Sequence, residues 1–362
     1  MPSAVNADAT LAIPQKNKIQ KQLLQWFKES KRDLPWRKTR DPYAIWVSEI
    51  MLQQTQVATV IPYYQKFLKS FPTIRQLAKA DLSKVLKVWE GLGYYSRARN
   101  LHQASQIVLN RFHGKIPDHL EGLMSLPGIG RSTAGAILSF AYHQDAPILD
   151  GNAKRVLSRL FAVSESQGER RTEQLLWRIS QSLIPKGFSN PFNQALMDLG
   201  SMTCVPKEPL CSECPLRDLC KGKALGNPEW FPVKNTKKKI PHINAVSAII
   251  HRDGRVLLNQ RPPIGLLGGL WEFPNWEIEG EKKWRLKTCI KKETGVNVKV
   301  KESVGVFQQT YSHFKLTLQV FDCQHINGKE KGKWVPIQNL SLFPMSKIHR
   351  RIAEAIGGET RR

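Results

Sequence analysis

Two carboxyl groups stand in contrasting surroundings. Glu49 lies within WVSEIMLQQTQV, where its helical neighbours at three and four residues are Ile45, Trp46, Leu52 and Gln53. Three of those four are apolar, and a carboxyl on a dry face is pushed towards its neutral form, as a proton donor requires. Asp150 follows the apolar run Ala146–Leu149 and precedes Gly151 and Asn152 at the expected start of a helix. A helix N-terminus favours the ionised form, so Asp150 should stay a carboxylate. One neutral acid and one fixed anion suit cleavage of an N-glycosidic bond: a proton for the leaving base, a negative charge for the cationic sugar. The plainer alternatives are an N-cap aspartate and a buried glutamate paired with Arg32 or Arg37.

Two further groups could bind rather than react. Cys204, Cys211, Cys214 and Cys220 follow the spacing C-x6-C-x2-C-x5-C. Four thiolates so close need a soft metal to offset their repulsion, either zinc or an iron–sulfur cluster. Cys289 and Cys323 lie far away and read as core residues. LPGIGRSTAGAILSF places Gly128 and Gly130 before a helix. Such a turn exposes backbone amides and makes an anion cradle, or a simple joint between helices.

The elements that must hold these groups divide the chain in two. It has 362 residues and a formal net charge of +25, with 31 basic against 18 acidic residues over 1–223 and 20 against 11 over 243–362. Excess positive charge on both halves suits a polyanion that runs past both. No apolar run is long enough to span a membrane, no secretory signal is recognisable, and clustered cysteines argue for a reducing compartment. A cytoplasmic enzyme, on the nucleoid when DNA-bound, is expected. Residues 1–15 read as a loose tail. Apolar spacings of three and four mark 16–223 as helical, including the run 41–71. Residues 224–242 (ALGNPEWFPVKNTKKKIPH) read as a linker. Beyond them the period becomes two, with a hairpin turn at Asp253-Gly254 and a helix over KKWRLKTCIKKETG. The expected fold is a mostly α N-terminal domain followed by an α+β C-terminal domain.

The cysteine spacing resembles the [4Fe–4S] loop of the endonuclease III superfamily of DNA glycosylases, here over 204–220. LPGIG followed by ILDGNAKRVLSRLF resembles that superfamily's helix–hairpin–helix element, about 117–140, with its catalytic aspartate. Lyase members carry a lysine just after the hairpin glycines, and this chain has Ser132 there. LPWR, SEIMLQQTQVATV, GLGYYSRARNL and LDGNAKRVL are similar to the adenine-DNA glycosylases of the MutY type. The resemblance implies a monofunctional base excision repair enzyme that removes adenine opposite 8-oxoguanine or guanine in double-stranded DNA and acts as a monomer. Glu49 would protonate adenine and Asp150 would stabilise the sugar cation, with Asn152 and Ser132 around the sugar and its water. Arg32, Arg37 and Gln194 would line the adenine pocket. Gln54 and Tyr94 would enter the base stack, and Thr55 and Leu92 would touch the opposite base. Gly128 and Gly130 would grip a phosphate, and Cys204, Cys211, Cys214 and Cys220 would hold the cluster.

Residues 243–362 resemble a MutT-type (Nudix) fold, from GGLWEFPNWEIEGE. The helix that should carry acidic metal ligands reads Thr288-Cys289-Ile290-Lys291-Lys292-Glu293-Thr294. One acid and two lysines cannot hold Mg²⁺ on a nucleoside triphosphate, so the fold should recognise rather than hydrolyse. Tyr311-Ser312-His313 stands where the relatives usually have Phe-Ser-His, a loop that meets 8-oxoguanine. The rival expectation is a glycosylase/lyase of the endonuclease III type acting on oxidised pyrimidines.

Overall fold

The computed structural model describes residues 13–166, 168–233, 240–277, 282–329 and 331–359. These form two compact units, one from residues 13–64, 73–75 and 104–233, the other from 65–72, 76–103 and 240–359. Most of the tail and residues 234–239 of the expected linker lie outside the described residues. No described helix is long and apolar enough to cross a membrane.

The helices before the linker are α1 (Lys16–Ser30), α2 (Pro42–Leu52), α3 (Val57–Ser70), α4 (Ile74–Lys79), α5 (Leu82–Trp89) and α6 (Tyr95–Arg111). They continue as α7 (Leu120–Met124), α8 (Arg131–Phe140), α9 (Gly151–Phe161), α10 (Arg170–Leu183), α11 (Ser189–Met202) and α12 (Lys221–Ala224). The first unit's main core joins α1, α9, α10 and α11 around Leu23, Leu157, Leu176, Phe192 and Leu199. Close approach of two of these helices depends on Gly200, where a Cβ would stand 2.6 Å from the Asn152 Cβ. The run 41–71 forms two helices, α2 and α3, which part at a turn holding Gln54 at φ 56°, with no glycine or proline to mark the break.

The second unit contains β1 (His242–Arg252), β2 (Arg255–Gln260), β3 (Trp271–Glu272), β4 (Asn275–Glu277), α13 (Lys282–Thr294), β5 (Val296–Thr310), β6 (Lys315–Gly328), β7 (Lys333–Pro336) and α14 (Lys347–Glu359). The strand order is β3-β2-β1-β6-β5, with β4 on β1 and β7 on β2. Asp253 and Gly254, at φ 49° and 70°, make the two-residue hairpin turn. Strand β1 is central and buried on both faces. Ala245 and Ile249 face α14 with Ile348 and Ile352, while Val246, Ala248 and Ile250 face α13 with Leu286 and Ile290. Helix α14 was not singled out from sequence, although Ile348, Ile352 and Ile356 recur every four residues.

The described part of the expected linker carries local structure. Pro228–Trp230 form a short 3-10 turn, and the Phe231 carbonyl accepts the Arg159 Nε hydrogen at 3.0 Å. That segment is docked on α9.

Candidate active site and cysteine centre

A cavity of about 1120 Å³ opens in the first unit, lined by α2, the turn after it, and parts of α8, α9 and α11. Asp41 starts α2 by accepting the Tyr43 and Ala44 amides at 3.0 and 3.3 Å. Every residue from Tyr43 to Met51 is buried except Glu49, the helix's one carboxyl, which is half-buried and lines the cavity. Burial pushes its pKa up to about 8; the charge of Asp150 adds to the rise and that of Arg37 opposes it.

Asp150 caps α9, accepting the Ala153 amide at 2.7 Å and the Asn152 Nδ2 hydrogen at 3.3 Å. Burial raises this carboxyl as well, against those bonds and the charge of Arg155. The helix terminus favours the anion, and burial works against it. Because each negative charge disfavours the other, one proton shared by the pair belongs on Glu49, which lacks Asp150's cap bonds.

Asn152 is itself held, its Oδ1 accepting the Arg155 Nη2 hydrogen at 2.8 Å. The Ser132 hydroxyl accepts the Leu149 amide at 3.1 Å, and both Ser132 and Asn152 line the cavity. So do Arg32, Arg37, Gln194, Gln54 and Thr55. The two arginines do not pair with Glu49, as the packing alternative supposed. They converge on Asp198, whose side chain is fully buried: Arg32 donates from Nε at 2.9 Å, and Arg37 donates from Nη1 at 2.8 Å and Nη2 at 3.0 Å. Sequence reasoning missed Asp198, which stands more than 160 residues from its partners.

The turn between α7 and α8 has Gly128 at φ 81°, in the left-handed region. Gly130 caps α8, is exposed, and has open space where a Cβ would stand. The turn therefore leaves the α8 N-terminus approachable by an anion.

The four cysteines are half-buried and in no disulfide. Burial, and then the charge of neighbouring thiols, pushes Cys211, Cys214 and Cys220 up, Cys214 to about 12. Arg159, missed from sequence, donates to the Cys204 Sγ at 3.4 Å and to the Val205 and Pro206 carbonyls at 2.7 and 2.9 Å. Among the described residues, no three His, Cys, Asp or Glu side chains close around a single-ion position.

In the second unit, the Tyr311 amide donates to the Phe314 carbonyl at 2.8 Å, closing a tight turn between β5 and β6. The Tyr311 ring stacks on Phe314 at 4.7 Å and is half-buried beside Ser346. An aromatic ring gains by packing under the turn, which leaves Ser312 and His313 as the exposed residues. Leu92 is 5% exposed and Tyr94 41% exposed. The Tyr94 phenol stands 2.8 Å from the Ser312 hydroxyl.

Residues 47–182 match the family described as HhH-GPD superfamily base excision DNA repair protein, and residues 245–355 match the NUDIX domain. The chain is 38% identical to the adenine DNA glycosylase of Buchnera aphidicola subsp. Acyrthosiphon pisum, over 92% of this chain and 95% of that protein. It is 36% identical to the adenine DNA glycosylase of Homo sapiens, over 83% of this chain and 65% of that one. Among solved structures it is similar to a thermostable thymine-DNA glycosylase, with TM-score 0.54 and 29% identity over 58% of this chain and 97% of that one. A trapped endonuclease III–DNA covalent intermediate shares the fold, with TM-score 0.52 and 22% identity over 59% of this chain and 99% of that one. These two solved structures cover less than two thirds of the chain, but likeness to the curated enzymes extends over 92% of it, and on that ground the chain belongs to the adenine DNA glycosylase family of base excision repair enzymes.

Proposed function

We propose that this protein hydrolyses the N-glycosidic bond of adenine mispaired with 8-oxoguanine or guanine, without cutting the strand. The observation that carries the reading is the pair of cavity carboxyls, Glu49 with its pKa raised to about 8 and Asp150 held by cap bonds. The target adenine must leave the stack to be reached, with Tyr94 and Gln54 as wedges and Gly128 and Gly130 gripping the backbone. Glu49 gives its proton to a ring nitrogen as the C1′–N9 bond breaks and the electron pair leaves with adenine. Asp150 stabilises the sugar cation, then water adds to C1′ and its proton returns to a carboxylate. Ser132 and Asn152 flank that water. Arg32 and Arg37, fixed by Asp198, offer the base their remaining surface beside Gln194.

Among the described residues lining the cavity none is a lysine, so the lining offers no side-chain amine for a Schiff base. This favours hydrolysis over the lyase alternative. The four free, half-buried thiols suit a [4Fe–4S] cluster held by Cys204, Cys211, Cys214 and Cys220. When bound, it would compensate their charge and stiffen the loop. The Nudix-like part would read the opposite base through Ser312 and His313. An intracellular, monomeric enzyme acting on duplex DNA fits this reading.

The test is single-turnover base release from duplexes holding A opposite 8-oxoguanine, G, T or C, together with oxidised pyrimidines. Release of adenine opposite 8-oxoguanine should be fastest. Ser312→Ala should cut the preference for 8-oxoguanine over guanine about three- to tenfold, as one neutral hydrogen bond allows. Release of oxidised pyrimidines instead of adenine would overturn the proposal.

A further inference from the structure

We infer that Glu90 and Arg350 are positioning residues for Tyr94, seating the turn that carries it on the Nudix-like fold. The inference rests on the reading of Tyr94 as a wedge. Glu90 follows α5, and the four residues after it, Gly91 to Tyr94, include three at positive φ: Gly91 at 98°, Gly93 at 78° and Tyr94 at 48°. Bonds within the segment shape the turn, the Leu92 amide donating to the Trp89 carbonyl at 3.1 Å and the Trp89 indole to the Gly93 carbonyl at 3.0 Å, but its placement on the sheet needs contacts from outside it.

Met345 supplies that from both backbone groups. Its amide donates to Glu90 Oε1 at 3.2 Å, and its carbonyl accepts from the Tyr95 hydroxyl at 3.1 Å. The turn is thus bracketed on either side by one residue of the other segment. Arg350 locks the bracket. Its Nε donates to the same Glu90 oxygen at 2.8 Å, its Nη1 donates to the Leu340 carbonyl at 2.9 Å, and its Nη2 donates to the Phe343 carbonyl. The ion pair is mostly shielded, at 19% and 14% side-chain exposure, so it is screened less than a surface pair. Farther along α6, Arg99 clips the Gly268 and Gly265 carbonyls at 3.0 and 2.9 Å.

Under the turn, the Arg97 guanidinium lies 5.2 Å from the Tyr94 ring centre and 5.5 Å from that of Trp89. Tyr94 is therefore fixed from below by Arg97, at its tip by Ser312 and at its base by the Met345 bracket. The consequence reaches function. Residues 240–359 hold the wedge in place as well as reading the opposite base, although Glu90 and Arg350 contact neither base nor sugar in the proposed mechanism.

The test is Glu90→Gln, Arg350→Gln and the double variant, with Lys347→Gln as a control that removes an exposed positive charge from the same helix. A duplex with 2-aminopurine beside the 8-oxoguanine reports unstacking by the wedge. Each single variant removes one charge-assisted bond, so the unstacked fraction relative to stacked should fall about tenfold in either. The double variant should be no worse than the worse single, since both remove one bracket. Amide exchange over residues 91–97 should quicken while residues 150–160 keep their protection. Folded variants with the wild-type fluorescence and protection would overturn the inference, as would an equal loss in Lys347→Gln. The exchange measurement on Glu90→Gln serves should Arg350→Gln fail to fold. Tyr94→Ala should abolish the signal; if it does not, the wedge reading itself fails, whatever the bracket variants show.

Discussion

The hydroxyl oxygen of Ser132 accepts the amide hydrogen of Leu149 at 3.1 Å, one residue before the carboxyl proposed to face the sugar. The side chain that stands in the place of a lyase lysine thus ties the start of α8 to the approach to Asp150. Borohydride should trap little or no covalent adduct with the wild-type protein, and the abasic product should break only after alkali or heat. Ser132→Lys gains trapping only if its new amine is desolvated enough to lose its proton. Ser132→Ala, which leaves the Leu149 amide unpaired, should lose about 1 kcal/mol of stability by thermal unfolding. Strong trapping by the wild type would locate a nucleophilic amine elsewhere.

Glu49 sets an alkaline limit. Its proton is required, and its pKa stands at about 8, so single-turnover adenine release should fall as pH rises through that value. The acid limit belongs to Asp150, which must be ionised and whose pKa is also raised by burial. Stability carries the same sign. For a carboxyl raised on folding, the contribution is full below the ordinary value of 4.5 and lost as pH climbs through about 8. Glu49→Gln, always neutral, should abolish adenine release while melting higher than wild type above pH 8. A pH profile unchanged in shape by the substitution would remove Glu49 from the acid role.

Asp198 is the fully buried anion between two partly exposed arginines. Asp198→Asn keeps the shape and removes the charge, leaving two guanidinium groups opposed. Losing one partner of a buried pair costs about 3–5 kcal/mol, and solvent access at the arginines places this near the lower end. Denaturant unfolding should show a loss of about 3 kcal/mol, with weaker adenine binding as Arg32 and Arg37 separate. A loss below about 1 kcal/mol, the range of exposed pairs, would mean the arginines hold themselves.

The thiols should be metallated as isolated. Protein should be brown, absorb broadly near ~400 nm and carry about four irons per chain. Cys214→Ser should lower iron content and unfold the loop first, seen as faster exchange over residues 204–220, because Leu216 inserts into the core of α1, α9, α10 and α11. Colourless active protein with one zinc would point to a different centre.

The legible features share one property: their cause is local. Asp150 caps its helix through a residue three positions on, Asp253-Gly254 turns a hairpin within two residues, and the nearly continuous apolar run 245–250 suits a strand buried on both faces. Glu49 stood out because three of its four helical neighbours are apolar. What the sequence alone left open is where partners meet across long separations. Asp198 gathers Arg32 and Arg37 from 166 and 161 residues away, and Arg350 reaches Glu90 over 260. The stacking of Tyr311 on Phe314 and the break after α2 at Gln54 were likewise not legible in the sequence. Charge and hydrogen-bonding capacity are written in the residue; which partner satisfies them is fixed only when the folded backbone brings that partner within about 3 Å and removes the competing water.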